Sequence, residues 1–136
     1  MWVTYAKQLA PDFKDDEAGL GHGYVDIYTP AGQLVKRFAS GGMLNSPWGV
    51  TWAAKFGQIK DAFLIGNFGD GHINVFDMNG VFQGQVKEKG KPVTIEGLWA
   101  LTFDNTAAAD PDKLYFTAGP EDETHGMFGY LEKMGQ

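Results

Sequence analysis

An internal repeat constrains this chain more than any other feature of its sequence. Residues 46–52 (SPWGVTW) recur 51 positions later as residues 97–103 (GLWALTF), so that Trp48 matches Trp99 and Thr51 matches Thr102. The same offset matches residues 63–65 (FLI) with 114–116 (LYF), and residues 1–4 (MWVT) resemble 114–117 (LYFT). A period of about 50 residues indicates a repeat fold in which each repeat contributes one supersecondary unit.

A second element occurs three times and indicates β-strands. Each copy has a glycine, a short apolar core and a turn that ends in glycine, at residues 23–32, 71–80 and 126–135. Asn79-Gly80 favours a hairpin, because both central residues of a type I′ turn have positive φ. Apolar and polar residues alternate, and no window carries a helical stripe. The predicted strands are residues 2–7, 24–29, 33–39, 47–54, 62–67, 72–77, 81–87, 97–103, 113–118 and 127–132.

The order of these strands predicts an all-β fold built from four-stranded β-propeller blades. Residues 1–42 make a blade that lacks its first strand, 43–93 a complete blade, and 94–136 a blade that lacks its last strand. This gives about two and a half to three blades of an incomplete ring. Because unpaired strand edges attract further strands, we expect a homodimer in which two copies complete one ring. The alternatives are a fragment that needs the rest of its protein, and a truncated product that aggregates.

The composition excludes several classes of protein. With 17 acidic and 11 basic residues the formal charge is −6, which argues against a nucleic-acid-binding surface. The absence of cysteine excludes disulfides, thiolate zinc sites and a thiol nucleophile. No apolar run approaches the roughly 18 residues of a membrane span. The first residues, MWVTYAKQ, do not have the pattern of a signal peptide.

Several chained motifs resemble a known family. The segments WVTYAK, GYVDIYTPAGQLVKRFASGG, LNSPWGV, LIGNFGDGHINVFD, IEGLWALTF and LYFTAGPEDETHGMFG are similar to the C-terminal part of an uncharacterised family of exported bacterial six-bladed propellers related to NHL repeats. The resemblance covers residues 2 to about 131 and implies NHL-like blades and an extracytoplasmic or secreted location, with no established activity. The chain departs from that family in lacking its N-terminal blades, signal peptide and sorting tail, and in placing histidines at positions 22 and 72.

The histidines and one acidic loop are candidate metal ligands. His22, His72 and His125 all lie at or just before the third strand of a repeat, on the face where propellers usually bind ligands. Together with carboxylates they could ligate zinc or copper, whereas Asp15 and Asp16 in the acidic loop of residues 11–19 suit calcium. The alternative is that each histidine fixes its own turn and that the acidic loop is only solvated.

Aromatic and amide side chains near the predicted tunnel mouth are candidate ligand-binding residues. Trp48 and Trp99 begin the innermost strands, and Asn45, Asn67 and Asp70 lie in loops on the same face. Large aromatic residues there either pack one blade against the next or offer a flat ring on which a sugar stacks. A small molecule or glycan is therefore a possible partner.

These observations favour a binding protein over an enzyme without excluding the enzyme. The leading interpretation is a ligand- or protein-binding propeller module. The alternative is a metal-dependent, lactonase-like hydrolase or a carbohydrate-active enzyme that uses the same loop face. Glu96, Asp70 and Glu121 are the candidate acid–base carboxylates. The sequence contains no nucleophile elbow, HExxH motif or P-loop.

Overall fold

The computed structural model describes residues 1–104 and 106–132. Within these ranges the regular secondary structure consists of β-strands. The all-β prediction is confirmed, and every predicted strand is present with ends shifted by at most three residues. The turn predicted at residues 133–135 lies outside the described residues. The strands are β1 (Trp2–Ala6), β2 (Gly23–Tyr28), β3 (Leu34–Ser40), β4 (Pro47–Phe56), β5 (Ile59–Asn67), β6 (Ile73–Phe76), β7 (Phe82–Gln85), β8 (Lys87–Glu88), β9 (Lys91–Pro92), β10 (Leu98–Thr102), β11 (Lys113–Ala118) and β12 (Met127–Glu132).

The strands form three antiparallel meanders and one short ribbon. Sheet 1 has the order β1-β2-β3, sheet 2 the order β4-β5-β6-β7 and sheet 3 the order β10-β11-β12, while β8 and β9 pair separately. The turn predicted at Asn79-Gly80 joins β6 to β7. There Gly80 has a φ of 87°, and Asp77 Oδ1 accepts hydrogen bonds from the backbone of Asn79 and Val81. The repeat boundaries placed near residues 42 and 93 stay predictions.

Strand register confirms the internal repeat. In sheet 2 Val50 pairs with Ile65, and 51 positions later in sheet 3 Leu101 pairs with Phe116. The register shift between Pro47 and Val50 recurs at the same offset, between Leu98 and Leu101. The strand pairs β1–β2, β5–β6 and β11–β12 also share one register. It is shown by the equivalent residue pairs Trp2–Ile27, Leu64–Val75 and Tyr115–Tyr130. The three sheets are therefore versions of one strand arrangement.

Sheet 2 lies between the other two sheets and is buried on both faces. Because successive side chains of a strand point to opposite faces, β5 directs Ile65 toward sheet 1 and Leu64 toward sheet 3, and both are fully buried. The cluster shared with sheet 1 contains Val25, Phe38, Ala39, Leu44, Ile65 and Phe76. The cluster shared with sheet 3 includes Leu64, Ile73, Val75, Leu98, Leu101, Leu114 and Phe116.

Strands β4 and β10 approach one another closely at Gly49. A Cβ placed there would lie 2.7 Å from the Trp99 carbonyl oxygen and 2.8 Å from the Leu101 backbone nitrogen. On the other side of β4, the Thr4 hydroxyl donates a hydrogen bond of 3.1 Å to the Trp48 carbonyl oxygen. Glycine at this position lets β4 and β10 pack backbone to backbone, which brings the loops at one end of the sheets together.

Within the described ranges, no helix is long and apolar enough to cross a bilayer.

Candidate ligand-binding site

Loops at one end of the three sheets form a continuous surface, called here the loop face. Hydrogen bonds join successive loops: the Gly19 backbone donates to Asn45 Oδ1 at 2.7 Å, and the Ile95 backbone donates to the Gly71 carbonyl at 2.9 Å. The Gly119 backbone in turn donates to the Gly97 carbonyl at 2.8 Å. The loop face comprises residues 7–22, 41–46, 68–72, 93–97 and 119–126.

The structure brings three of the predicted ligand-binding residues together, in a buried network. Asn67 is fully buried and Asn45 nearly so. Asn45 Nδ2 donates to Asp70 Oδ2 at 3.3 Å, and Asn67 Nδ2 donates to Asp70 Oδ1 at 3.1 Å. Asn67 Oδ1 accepts from the Asn45 backbone at 3.1 Å. Because buried polar groups need partners, this network fixes the shape of the loop face.

A cleft of about 360 Å³ opens on the loop face beside Trp48. Trp48 is 55% exposed, and its ring centroid lies 5.7 Å from that of Phe68, with the ring planes tilted by 49°. Loop 7–22 contributes carboxylates to the wall, because Gln8 pairs with Asp16 and closes the loop back on itself. The residues that give the cleft its chemistry are Asp15, Asp16, Ser46, Trp48, Phe68 and Glu123.

Two polar atoms in the cleft wall have no hydrogen-bond partner among the described residues. Ser46 is 2% exposed and its Oγ is unpartnered; Asp16 Oδ2 is also buried and unpartnered. Both backbone groups of Ser46 are bonded, the nitrogen to the His22 carbonyl at 2.9 Å and the carbonyl to the Phe68 nitrogen at 2.8 Å. The side-chain hydroxyl is therefore the one polar group of Ser46 that is left buried without a partner, while the backbone is held in place.

The backbone of Ser46 has a left-handed conformation that favours glycine and that six other non-glycine residues of the described chain share. Its φ is 48°, and the repeat equivalent, Gly97, has a φ of 62°. Serine in this left-handed region costs roughly 1–2 kcal/mol relative to glycine. Ser46 was not among the candidate ligand-binding residues predicted from the sequence. The replacement of glycine by serine between two otherwise similar repeats was the signal that would have found it.

The two equivalent tryptophans have different surroundings. Trp99 donates from Nε1 to Glu123 Oε1 at 2.8 Å and lies directly over Gly119, where an added Cβ would be 2.2 Å from the indole ring. Phe68 is the repeat equivalent of Gly119. Trp48 therefore packs against the Phe68 ring, whereas Trp99 packs against the backbone of a glycine. Trp52 packs at 4.8 Å against Phe63, its cross-strand partner in sheet 2. Phe63 in turn lies 4.3 Å from Trp2 of sheet 1, and this second contact fits the interpretation that some aromatic residues join one sheet to the next.

The structure places each histidine beside a carboxylate of its own sheet. His22 Nδ1 lies 3.8 Å from Glu17 Oε1 and 2.9 Å from the Glu17 carbonyl. The other two pairs are His72 Nδ1 with Asp70 Oδ2 at 3.5 Å and His125 Nε2 with Glu121 Oε2 at 3.2 Å. Among residues 1–104 and 106–132, no three His, Asp or Glu side chains are grouped closely enough to hold a metal ion.

Two of the candidate acid–base carboxylates, Glu96 and Asp70, also accept hydrogen bonds from neighbouring loops. Glu96 Oε1 accepts a hydrogen bond of 2.9 Å from the Glu121 backbone, and both oxygens of Asp70 accept from Asn45 and Asn67. At the base of loop 7–22, the Lys7 ammonium donates to Glu17 at 2.9 Å. This bond lowers the pKa of the Glu17 carboxyl against the opposing effect of desolvation.

Comparison with known proteins found relatives in a virus. Three uncharacterized proteins of Acanthamoeba polyphaga mimivirus are 41%, 35% and 37% identical to the chain over 115, 135 and 120 residues. The matches cover 83%, 98% and 87% of this chain but only 30%, 33% and 22% of the relatives. The chain thus spans about a third or less of the curated relatives it matches. No family model matches, and no solved structure matches.

These relatives overturn the resemblance inferred from the sequence motifs. The expected family was one of exported bacterial propellers related to NHL repeats, and that assignment is wrong, because the relatives point to a viral protein family. The shared motifs encode turns and inner strands of a repeated sheet, such as the residue 46–52 segment. Motifs of that kind report local strand architecture rather than ancestry. An extracytoplasmic location rested on that resemblance alone and loses its support with it.

Proposed function

We propose that the chain is a binding module whose sheets are consecutive blades of a β-propeller and whose loop face holds a small ligand. Three antiparallel meanders with one register, stacked face to face, support the propeller arrangement. The described residues form no closed ring. The remaining blades of such a ring would come from a second copy or from other segments of a longer protein.

The cleft beside Trp48 is the observation that carries the binding function. Small-molecule sites are concave, contain apolar rings and include a few well-placed polar groups. This cleft is lined by an exposed indole, a second aromatic ring and two residues, Ser46 and Asp16, that each have a buried polar atom without a partner. Two of the carboxylates considered for acid–base catalysis, Asp70 and Glu96, instead accept hydrogen bonds from other residues of the loop face. The geometry therefore supports binding more directly than hydrolysis.

An NMR screen tests this function at residue resolution. Backbone amide spectra of the labelled protein would be recorded with a library of small polar and aromatic compounds. We expect shift changes to concentrate at Asp16, Ser46, Trp48 and Phe68. A second hollow of about 370 Å³, which includes Gln58 and Gln85 in its lining, serves as an internal control because it lacks an aromatic wall. Hits that perturb only this control hollow, or no hits at all, would contradict the proposal.

A second copy of the chain is the partner proposed for the outer sheet faces. In sheet 2, Ile73 and Val75 are buried against sheet 3. Their register equivalents in sheet 3 are Phe128 and Tyr130, which are 73% and 49% exposed. Tyr24 is similarly exposed on sheet 1. Equivalent apolar side chains are thus buried by a neighbouring sheet in one repeat and exposed to solvent in another. This difference favours a further sheet of the same kind packing on the exposed face.

Light scattering coupled to size exclusion tests the second copy. We expect a dimer for the unmodified chain and a monomer for Phe128→Arg, because a charge would be buried in an apolar contact. Met78→Arg is the matched control, since Met78 is exposed in the turn after β6, away from the outer faces. A monomeric unmodified chain that remains folded would overturn this part of the proposal.

A further inference from the structure

We propose that the cleft beside Trp48 recognises a carbohydrate, most simply a single sugar residue, with Ser46 and Asp16 as its hydrogen-bonding groups. The inference rests on the proposed function of the loop face and goes beyond it by naming the ligand class. It assigns roles to two residues that the sequence alone did not single out as a pair.

The exposed indole supplies the first part of the recognition. Over half of the Trp48 surface is open, although Phe68 packs against it. Its backbone is fixed on the other side, because Thr4 bonds its carbonyl. A rigid aromatic face that is open to solvent offers apolar contact area at low entropic cost. The C–H face of a pyranose is flat and apolar, and it fits such a surface.

The unpartnered atoms supply the second part and distinguish a sugar from a cation. Asp16 Oδ2 can only accept a hydrogen bond, whereas Ser46 Oγ can both donate and accept. A sugar hydroxyl can donate to the carboxylate, and its neighbour can accept from the serine. A quaternary ammonium such as that of choline has no N–H group, so its charged end would leave both Asp16 Oδ2 and Ser46 Oγ without a hydrogen-bond partner. Lys14 lines the cleft together with the carboxylates of Asp15, Asp16 and Glu123, so the charge of the lining alone does not select a neutral ligand and the test includes a cationic probe.

The conformation of Ser46 supplies the third part. Gly97 shows that the repeat needs only glycine at this position, with the same left-handed backbone. The chain nevertheless places a serine there, with its hydroxyl buried in the cleft wall and unpartnered. Strained residues with unsatisfied groups are found at ligand sites, where the ligand provides the missing partner. The volume of about 360 Å³ lies at the small end of the range for ligand clefts, which suits one sugar residue.

Saturation-transfer NMR and calorimetry with defined sugars test the inference. The probes are the methyl glycosides of glucose, galactose, mannose and N-acetylglucosamine, with choline as the cationic comparison. We expect at least one glycoside to bind and choline not to bind. Trp48→Ala should weaken glycoside binding about tenfold or more. Ser46→Ala and Asp16→Asn, which each remove one ligand hydrogen bond, should weaken it by about twofold to tenfold.

The control is Asp12→Asn, which makes the same charge change in the same loop at an exposed position outside the cleft. It should bind the glycoside as the unmodified chain does. Choline binding that is lost in Trp48→Ala, without glycoside binding, overturns the carbohydrate inference and leaves the proposed binding function standing. Failure of both probe classes in the cleft overturns the inference, and the amide-shift screen then decides the proposed function separately. Equal loss in Asp12→Asn and Asp16→Asn would overturn the assigned role of Asp16.

Discussion

Replacing Ser46 by glycine should stabilise the fold while it weakens ligand binding. The φ of 48° costs serine roughly 1–2 kcal/mol that glycine does not incur. The buried, unpartnered hydroxyl costs a further ~1–3 kcal/mol. About 0.5–1 kcal/mol of this gain in stability is offset, because glycine loses more backbone entropy on folding than serine does. The net expectation for Ser46→Gly is an increase of about 1–4.5 kcal/mol in the free energy of unfolding.

Urea unfolding followed by tryptophan fluorescence measures this change. Thermal melts should show a matching rise of about 3–4 °C for each kcal/mol in a chain of this size. The slope of the urea transition should stay constant, because the surface exposed on unfolding is unchanged. The same variant should bind any ligand of the cleft more weakly, since it removes the Ser46 hydroxyl.

The repeat provides the matched control at Gly97. A Cβ there would lie 2.2 Å from the Gly119 carbonyl oxygen, and its φ is 62°, so Gly97→Ala should destabilise the chain. A Ser46→Gly variant that is equally stable or less stable would refute the reasoning. It would mean that the serine hydroxyl stabilises the loop through a bond of its own, and that the unpartnered oxygen is not a binding group.

Three further predictions follow from the packing and the charges. Gly49→Ala should lower the free energy of unfolding by about 1–3 kcal/mol or more, measured by urea unfolding, because its Cβ would meet the Trp99 carbonyl at 2.7 Å. Leu64→Ala should cost about 2–5 kcal/mol in the same assay, because the side chain is fully buried between two sheets. The bond from Lys7 lowers the pKa of Glu17 below its ordinary 4.5, so its stabilising effect is present above that pH and is lost as the pH falls through the lowered pKa. Thermal melts between pH 3 and pH 6 should show this loss, and a Glu17→Gln variant should lack it; an identical pH profile for both would contradict the assignment.

Most of the secondary structure could be predicted from the sequence, because two physical signals agreed. Alternation of apolar and polar residues indicated β-strands, and turns that contain glycine indicated where the strands end. The largest difference occurs in β5, which begins at Ile59 rather than at residue 62. The β4–β5 hairpin continues to the pair Phe56–Ile59, beyond the apolar run that marks the strand. The ribbon of β8 and β9 carries no such run, so it was not predicted.

The candidate site was harder to predict, because hydrogen bonds that cross between loops are invisible in a single sequence. Asn45, Asn67 and Asp70 were recognised as polar residues on the correct face. Whether their amides and carboxylate face a ligand or one another depends on the contact between two loops 22 residues apart in the chain. Residue type alone does not distinguish the two outcomes. The histidines show the same limit, since each lies beside a carboxylate of its own sheet.

Divergence between the repeats offers a better guide to the site than residue type does. Sheets 2 and 3 share one register and one bulge, so equivalent positions can be compared directly. At two such positions sheet 3 has glycine, where sheet 2 has Ser46 and Phe68. Both additions line the cleft beside Trp48. In sheet 3 a side chain at Gly97 would meet the Gly119 carbonyl and one at Gly119 would meet the Trp99 ring, whereas sheet 2 has room for Ser46 and for a second ring beside Trp48. The local packing that differs between the repeats therefore forms the cleft.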